Sequence, residues 1–127
     1  MESVIDRFIR YIKIDTQSAR NAESFPSTEK QLNLARLLTE ELRTMGLIDA
    51  ATDQYGYVTA TLPSNSTRTD LPVVGFLAHM DTSPDFSGEN VNPQFIENYD
   101  GDTVVLNRDL NLTMSPEEFP DLLQYRK

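Results

Sequence analysis

The residues with the clearest capacity for chemistry are His79 and Asp81, which stand two positions apart directly after an apolar run. His79 is the only histidine of the chain. If the backbone is still extended here, side chains at positions i and i+2 share one face. The Asp81 carboxylate can then hold one imidazole nitrogen while the other faces a metal ion, as is common for metal-binding histidines. The pair therefore indicates one part of a metal site.

The same two residues are also compatible with an ordinary surface ion pair, and the pair taken alone favours that interpretation. A zinc ion takes three or four protein ligands, but the chain has no second histidine and no cysteine. Asp85 is near in sequence, yet it follows Pro84, and the turn there leaves its direction open. The residues by themselves leave both alternatives standing.

The apolar run before His79, residues 71–78, predicts the strand that positions the pair. Its apolar residues do not alternate with polar ones, which is typical of a strand buried on both faces beneath helices. Open α/β sheets bind their ligands at the carboxyl ends of such strands. We therefore expect an α/β fold with His79 at the edge of a layered sheet.

Two amphipathic helices are predicted before this strand, over residues 3–13 and 28–45. Ser27 is the expected N-cap of the second helix. Gly46 stands where a left-handed residue is needed to end it. A strand buried on both faces needs helices on both, and two helices are too few for this. We therefore expect the chain to lack part of its own domain.

The remaining elements are short. A weak strand is expected at residues 49–53 and a better one, with β-branched and aromatic residues, at 57–62, the two joined by a tight turn. A hairpin is expected from residues 95–99 and 103–106, which flank an Asp-Gly dipeptide. A capping box that begins at Ser115 predicts the start of a final helix.

The composition limits the compartment and the partners. The net charge is −9, which argues against nucleic-acid binding because phosphates need Lys and Arg to neutralise them. No run approaches the roughly 18 apolar residues of a membrane helix. Charged residues interrupt the first apolar positions, so they do not form a secretory signal. The chain has no cysteine, which excludes disulfides and thiolate metal sites. Together these features lead us to expect a cytoplasmic protein that binds neither nucleic acid nor membrane.

Residues 73–85 resemble the first metal-binding motif of the M20 family of zinc metallopeptidases, in which a strand ends in H-x-D. Further segments, in the same order along the chain, are similar to the tripeptide aminopeptidases of that family. These segments are residues 15–18, 26–29, 45–47, 60–63, 82–85 and 97–99. The resemblance covers nearly all of the 127 residues.

The resemblance implies roles for both site residues. His79 corresponds to a ligand of one of two zinc ions, and Asp81 to the catalytic aspartate that orients its imidazole. The remaining ligands and the general-base glutamate have no counterpart here. The chain alone is thus expected to hold at most a partial zinc site and to be inactive, whereas the whole enzyme would release the N-terminal residue of tripeptides.

The resemblance also implies an architecture. Residues 1–127 correspond to the N-terminal part of a three-layer α/β/α catalytic domain, ending after the first metal-binding strand and the hairpin that follows it. The rest of that domain and a dimerisation domain would be absent. The alternatives are another M20 hydrolase, either a dipeptidase or an amino-acid deacylase, and a non-catalytic interaction module. Uncovered sheet edges and apolar surface are expected to let the chain self-associate.

Overall fold

The computed structural model describes residues 2–127, which divide into two compact units, one ending at Val91 and the other spanning Asn92–Lys127. The first unit contains helices α1 (Val4–Ile12) and α2 (Gln31–Thr44) and strands β1 (Ala51–Thr52) and β2 (Val58–Thr59). The second contains β3 (Val104–Asn107), β4 (Leu112–Met114) and a 3-10 helix (Pro120–Tyr125).

Helices and strands are thus mixed as an α/β class requires, and each of the two sheets has two antiparallel strands. None of the helices described is long and apolar enough to cross a membrane.

Helix α1 confirms the first predicted helix and begins with a capping box that the sequence analysis did not predict. The Ser3 hydroxyl accepts a hydrogen bond from the Asp6 backbone N–H at 3.1 Å, and the Asp6 carboxylate accepts one from the Ser3 N–H at 3.2 Å. These contacts satisfy donors that the first turn of a helix leaves unpaired. Farther along, the Tyr11 hydroxyl donates to the Glu41 carboxylate at 2.6 Å, which links α1 to α2.

Helix α2 begins three residues later than predicted, and Ser27 is not its N-cap. The N-cap is Lys30, which makes no side-chain capping bond. The Ser27 hydroxyl instead accepts a hydrogen bond from the Ala19 backbone N–H at 3.1 Å. A contact with the preceding loop thus stands in place of the predicted capping bond.

The end of α2 matches the prediction. Gly46 has φ of +95°, and its N–H donates to the Arg43 carbonyl while the Leu47 N–H donates to the Leu42 carbonyl. These two bonds form a Schellman motif, in which a left-handed residue reverses the chain and satisfies the last helical carbonyls.

We predict that Gly46→Ala destabilises the first unit by about 1–2 kcal/mol, because the Cβ of an L-residue is strained in the left-handed region. The measurement is urea unfolding followed by the helical circular dichroism signal. Gly75→Ala is the matched control, because Gly75 lacks a positive φ and a Cβ there would meet no atom within 4 Å. Equal destabilisation by the two substitutions would contradict this explanation.

The first unit has a small core built on one face of α2. Leu34, Ala35 and Ala50 are its buried apolar residues. The Thr39 and Thr52 hydroxyls lie 2.6 Å apart and link α2 to β1. The strands β1 and β2 pair antiparallel, as the sequence predicts, although each is only two residues long.

The apolar segment 71–78 is not a strand, and the prediction of a strand buried on both faces is wrong for this chain. Its side chains face solvent, with Phe76 96% and Leu77 100% exposed. A strand must pair its backbone N–H and C=O groups with a neighbouring strand. No segment within residues 2–127 supplies that partner, and α2 packs on β1 and β2 instead.

The hairpin of the second unit lies later in the chain than predicted. Strand β3 covers most of the predicted strand 103–106, but it pairs with β4 rather than with residues 95–99, in the register Val104↔Met114. Around residues 100 and 101 the chain forms only a bend, with Gly101 at φ of +99° and the Asp102 N–H donating to Asp100 Oδ1 at 3.0 Å. The turn that joins the strands uses the Asn107 side chain, which accepts from the Leu110 N–H at 3.0 Å.

The predicted final helix is also corrected. The Ser115 hydroxyl accepts from the Glu118 N–H at 3.3 Å, as a capping box requires, but only a turn follows. The helical element is a 3-10 helix that starts at Pro120, whose missing N–H is tolerated in a first turn.

Candidate metal site

The predicted contact between His79 and Asp81 is present. His79 Nδ1 lies 3.2 Å from Asp81 Oδ1 and 2.9 Å from the Asp81 backbone oxygen. Since both oxygens can only accept, Nδ1 carries the proton and donates it to them. The other ring nitrogen, Nε2, then has a free lone pair, and the His79 side chain is 85% exposed. An imidazole held in this tautomer can bind a metal ion through Nε2.

The residues that the structure describes do not assemble the rest of a metal site. Within residues 2–127, no group of three or more His, Cys, Asp or Glu side chains is placed to hold a metal ion. His79 fits one ligand position and Asp81 fits the carboxylate that orients it. A zinc ion needs at least two more protein ligands, so the described residues do not by themselves fit a complete centre.

The chain directly after Asp81 is anchored to the segment that follows α1. The Thr82 N–H donates to the Thr16 carbonyl at 3.2 Å, and the Ser18 N–H donates to the Thr82 carbonyl at 3.0 Å. These bonds form an isolated parallel bridge. Thr16 is only 2% exposed, so the anchor lies in the most buried polar part of the first unit.

The loop that continues to Gly88 is held by the same segment. The Gln17 side-chain amide donates to the Phe86 carbonyl at 2.8 Å and to the Pro84 carbonyl at 3.3 Å. At Gly88 the chain passes so close to Asp15 that a Cβ there would lie 3.0 Å from Asp15 Oδ1. An exposed ion pair between Arg20 and Asp85 adds a further contact.

A third segment, at the start of α2, completes this cluster. The Thr28 hydroxyl donates to the Gln17 carbonyl at 2.8 Å, and Lys30 Nζ lies 2.8 Å from Asp15 Oδ2. The Lys30 ammonium group, followed by the Gln17 backbone N–H, holds the pKa of the Asp15 carboxyl below its usual value. Residues 15–18, 26–30 and 82–88 therefore form one hydrogen-bonded cluster, which we call the polar bracket.

The sequence analysis did not predict the polar bracket. Residues 15–18 and 82–85 lie more than 60 positions apart, and no periodicity or motif spacing connects them. The only signal was that all three segments belong to the resemblance with one enzyme family.

Comparison with known proteins finds relatives that are similar to nearly the whole chain. No family model matches the chain. The chain is 59% identical over 125 residues to the peptidase T of Desulfitobacterium hafniense strain Y51, a match that covers 98% of the chain. It is 54% identical over 126 residues to that of Clostridium acetobutylicum and 54% identical over 125 residues to that of Bacillus subtilis. The chain is thus similar to peptidase T sequences over nearly its whole length.

The match to peptidase T covers nearly all of this chain but only part of each relative. It covers 98–99% of this chain but 30–31% of the length of these relatives. The aligned stretch omits at most two residues of the chain, so it includes the His79 and Asp81 pair and the polar bracket. The resemblance drawn from the sequence is confirmed, and the chain spans 30–31% of the length of the relatives it matches.

Proposed function

We propose that this chain is part of a zinc-dependent aminopeptidase that releases the N-terminal residue of tripeptides. The observation that carries the proposal is the identity of 54–59% to peptidase T sequences over nearly the whole chain. The geometry at His79 supports it, because the imidazole is held through Nδ1 and presents Nε2 to an incoming ligand.

In this proposal, His79 contributes one zinc ligand through Nε2, and Asp81 fixes the ring by accepting a hydrogen bond from Nδ1–H. Zinc, when bound, polarises the scissile carbonyl and lowers the pKa of a bound water. The further zinc ligands and the general base come from residues outside these 127. Asp81 also raises the basicity of the imidazole, because a carboxylate that accepts a hydrogen bond from one ring nitrogen makes the other nitrogen a better donor to metal.

We also propose that both compact units belong to one incomplete catalytic domain of the three-layer α/β/α type. The exposure of residues 71–78 supports this, because a continuous apolar segment rarely stays in water when its domain is complete. The same exposure favours an incomplete enzyme domain over a self-contained interaction module. We further propose that the protein is cytoplasmic and that the 127-residue chain self-associates through this segment.

The test is a substrate panel applied with zinc to the 127-residue chain and to a polypeptide of full peptidase T length that contains it. We expect the longer polypeptide to cleave unblocked tripeptides and to leave N-acetylated tripeptides intact, because an aminopeptidase recognises the free amino terminus. We expect the 127-residue chain to cleave neither, since it supplies one ligand and no general base.

Two results would contradict the proposal. Preferred cleavage of dipeptides or of N-acylated amino acids by the longer polypeptide would replace tripeptidase activity with that of a different hydrolase. Tripeptide cleavage by the purified 127-residue chain would show that the site is complete within it.

A further inference from the structure

Gln17 stands out in the polar bracket because each of its polar groups has a partner. Its backbone N–H donates to Asp15 Oδ1 at 2.9 Å, and its carbonyl accepts from the Thr28 hydroxyl at 2.8 Å. Its side-chain oxygen lies 3.5 Å from Lys30 Nζ. Because the lysine contacts the oxygen, the amide nitrogen faces the other way, toward the loop after Asp81.

The two hydrogen bonds donated by this amide nitrogen are the main side-chain link to that loop. The carbonyls of Pro84 and Phe86 both point at Gln17 Nε2, at 3.3 and 2.8 Å. Two other side chains reach the loop. The Ser18 hydroxyl donates to the Thr82 carbonyl at 2.9 Å, and the ion pair between Arg20 and Asp85 is more than 65% exposed on both sides. Exposed ion pairs contribute little to stability, so Gln17 makes two of the three side-chain hydrogen bonds that constrain the loop.

The loop controls the histidine through a single peptide unit. The Asp81 carbonyl, which accepts from His79 Nδ1 at 2.9 Å, belongs to the same planar unit as the Thr82 N–H. That N–H donates to the Thr16 carbonyl at 3.2 Å. In a planar trans peptide the C=O and N–H point in opposite directions. An orientation fixed at the N–H therefore fixes the carbonyl that holds His79.

We propose that Gln17 is a positioning residue for the metal-binding histidine. By holding the carbonyls of Pro84 and Phe86, it keeps the Asp81–Thr82 peptide in the orientation in which Asp81 accepts a hydrogen bond from Nδ1–H. Nε2 is then left without a proton and is available to a metal. The metal-binding role rests on the proposed function, whereas the coupling of Gln17 to the tautomer of His79 does not.

The test uses the fact that the 127-residue chain has a single histidine. The 15N chemical shifts of its imidazole, recorded by NMR at a pH where the ring is neutral, report which nitrogen carries the proton. We expect the unmodified chain to have the Nδ1–H form as its major tautomer. In Gln17→Met, which keeps the side-chain length and removes both donors, we expect Nε2–H to become the major form.

Two further variants make the test specific. Gln94→Met is the matched control, because the exposed Gln94 side chain makes no hydrogen bond within residues 2–127. In this variant the major tautomer of His79 should be the same as in the unmodified chain. Gln17→Glu keeps the shape and the lysine contact but turns an acceptor toward the two carbonyls. It should shift the tautomer as Gln17→Met does, and it serves as the test if Gln17→Met loses its helical signal.

An unchanged Nδ1–H tautomer in a folded Gln17→Met or Gln17→Glu chain would overturn the proposal. A majority of Nε2–H in the unmodified chain would also overturn it, because His79 would then not be held by Asp81. If the tautomer shifts as expected but the longer polypeptide cleaves no tripeptide, the positioning role stands and the proposed function fails.

Discussion

Replacing His79 by alanine in a polypeptide of full peptidase T length is expected to abolish zinc binding at its site and peptidase activity together. Alanine offers no nitrogen in place of Nε2, and the chain has no second histidine to replace it. A catalytic metal contributes several kcal/mol to transition-state stabilisation, and about 1.4 kcal/mol corresponds to a factor of ten in rate. The expected loss in kcat/KM is therefore on the order of 10³-fold or more.

The measurement is bound zinc after dialysis, combined with kcat/KM on an unblocked tripeptide. Thr69→Ala is the control, because Thr69 lies in the same open stretch of chain, is exposed and makes no side-chain hydrogen bond within residues 2–127. This variant should match the unmodified protein. A His79→Ala protein that keeps its full zinc content would show that His79 is not a ligand.

Replacing Asp81 by alanine is expected to give a smaller loss of a different kind. His79 Nδ1 has two acceptors, the Asp81 carboxylate at 3.2 Å and the Asp81 backbone oxygen at 2.9 Å. The substitution removes only the first, so the ring keeps one partner and can still bind zinc. Changes in such orienting partners typically cost about 10–100-fold. We expect activity to fall by that factor while zinc content at saturating metal is largely retained.

Two further variants show whether Asp81 orients His79 or binds zinc directly. Asp81→Asn keeps a side-chain acceptor without the charge and should fall between Asp81→Ala and the unmodified protein. Asp109→Ala is the control, because the exposed Asp109 side chain makes no hydrogen bond within residues 2–127. Complete loss of zinc in Asp81→Ala would mean that Asp81 is a direct ligand.

The parts of the fold that the sequence predicted correctly depend on neighbours within about one turn of helix or one tight turn. Helix α1 follows its apolar spacing, and Gly46 ends α2 in the left-handed conformation that only glycine adopts without strain. The turn before β2 likewise follows from Gly56, which has φ of +88°. Local patterns were sufficient because the stabilising contacts were themselves local.

The incorrect predictions concern segments whose structure depends on a partner elsewhere. Residues 71–78 have the composition of a buried strand, but composition does not supply the neighbouring strand that its backbone needs. The Asp-Gly dipeptide at residues 100 and 101 lies at a bend and joins no pair of strands. The hairpin instead forms between β3 and β4, where the Asn107 side chain accepts from the Leu110 N–H.

The candidate site also contains one contact that the sequence predicted and one that it did not. The contact between His79 and Asp81 joins positions i and i+2, and the alternation of side chains along extended backbone was enough to predict it. The contact between Ser18 and Thr82 joins positions 64 apart, and nothing in either segment indicates the other. The resemblance marked both segments as parts of the family pattern but did not say that they touch.

The polar bracket closes a long loop that has no regular secondary structure, and this closure costs chain entropy. The Thr61 N–H is tied to Asp49, so closure at Thr82 restricts the twenty residues 62–81, at an entropic cost of about 3 kcal/mol. Five hydrogen bonds at roughly 1 kcal/mol each oppose that cost. The bonds exceed the cost by only about 2 kcal/mol, less than the stability of a typical domain, so we expect the bracket to open locally while both helices stay folded. A ligand that binds only the closed form would shift this equilibrium further toward closure by mass action.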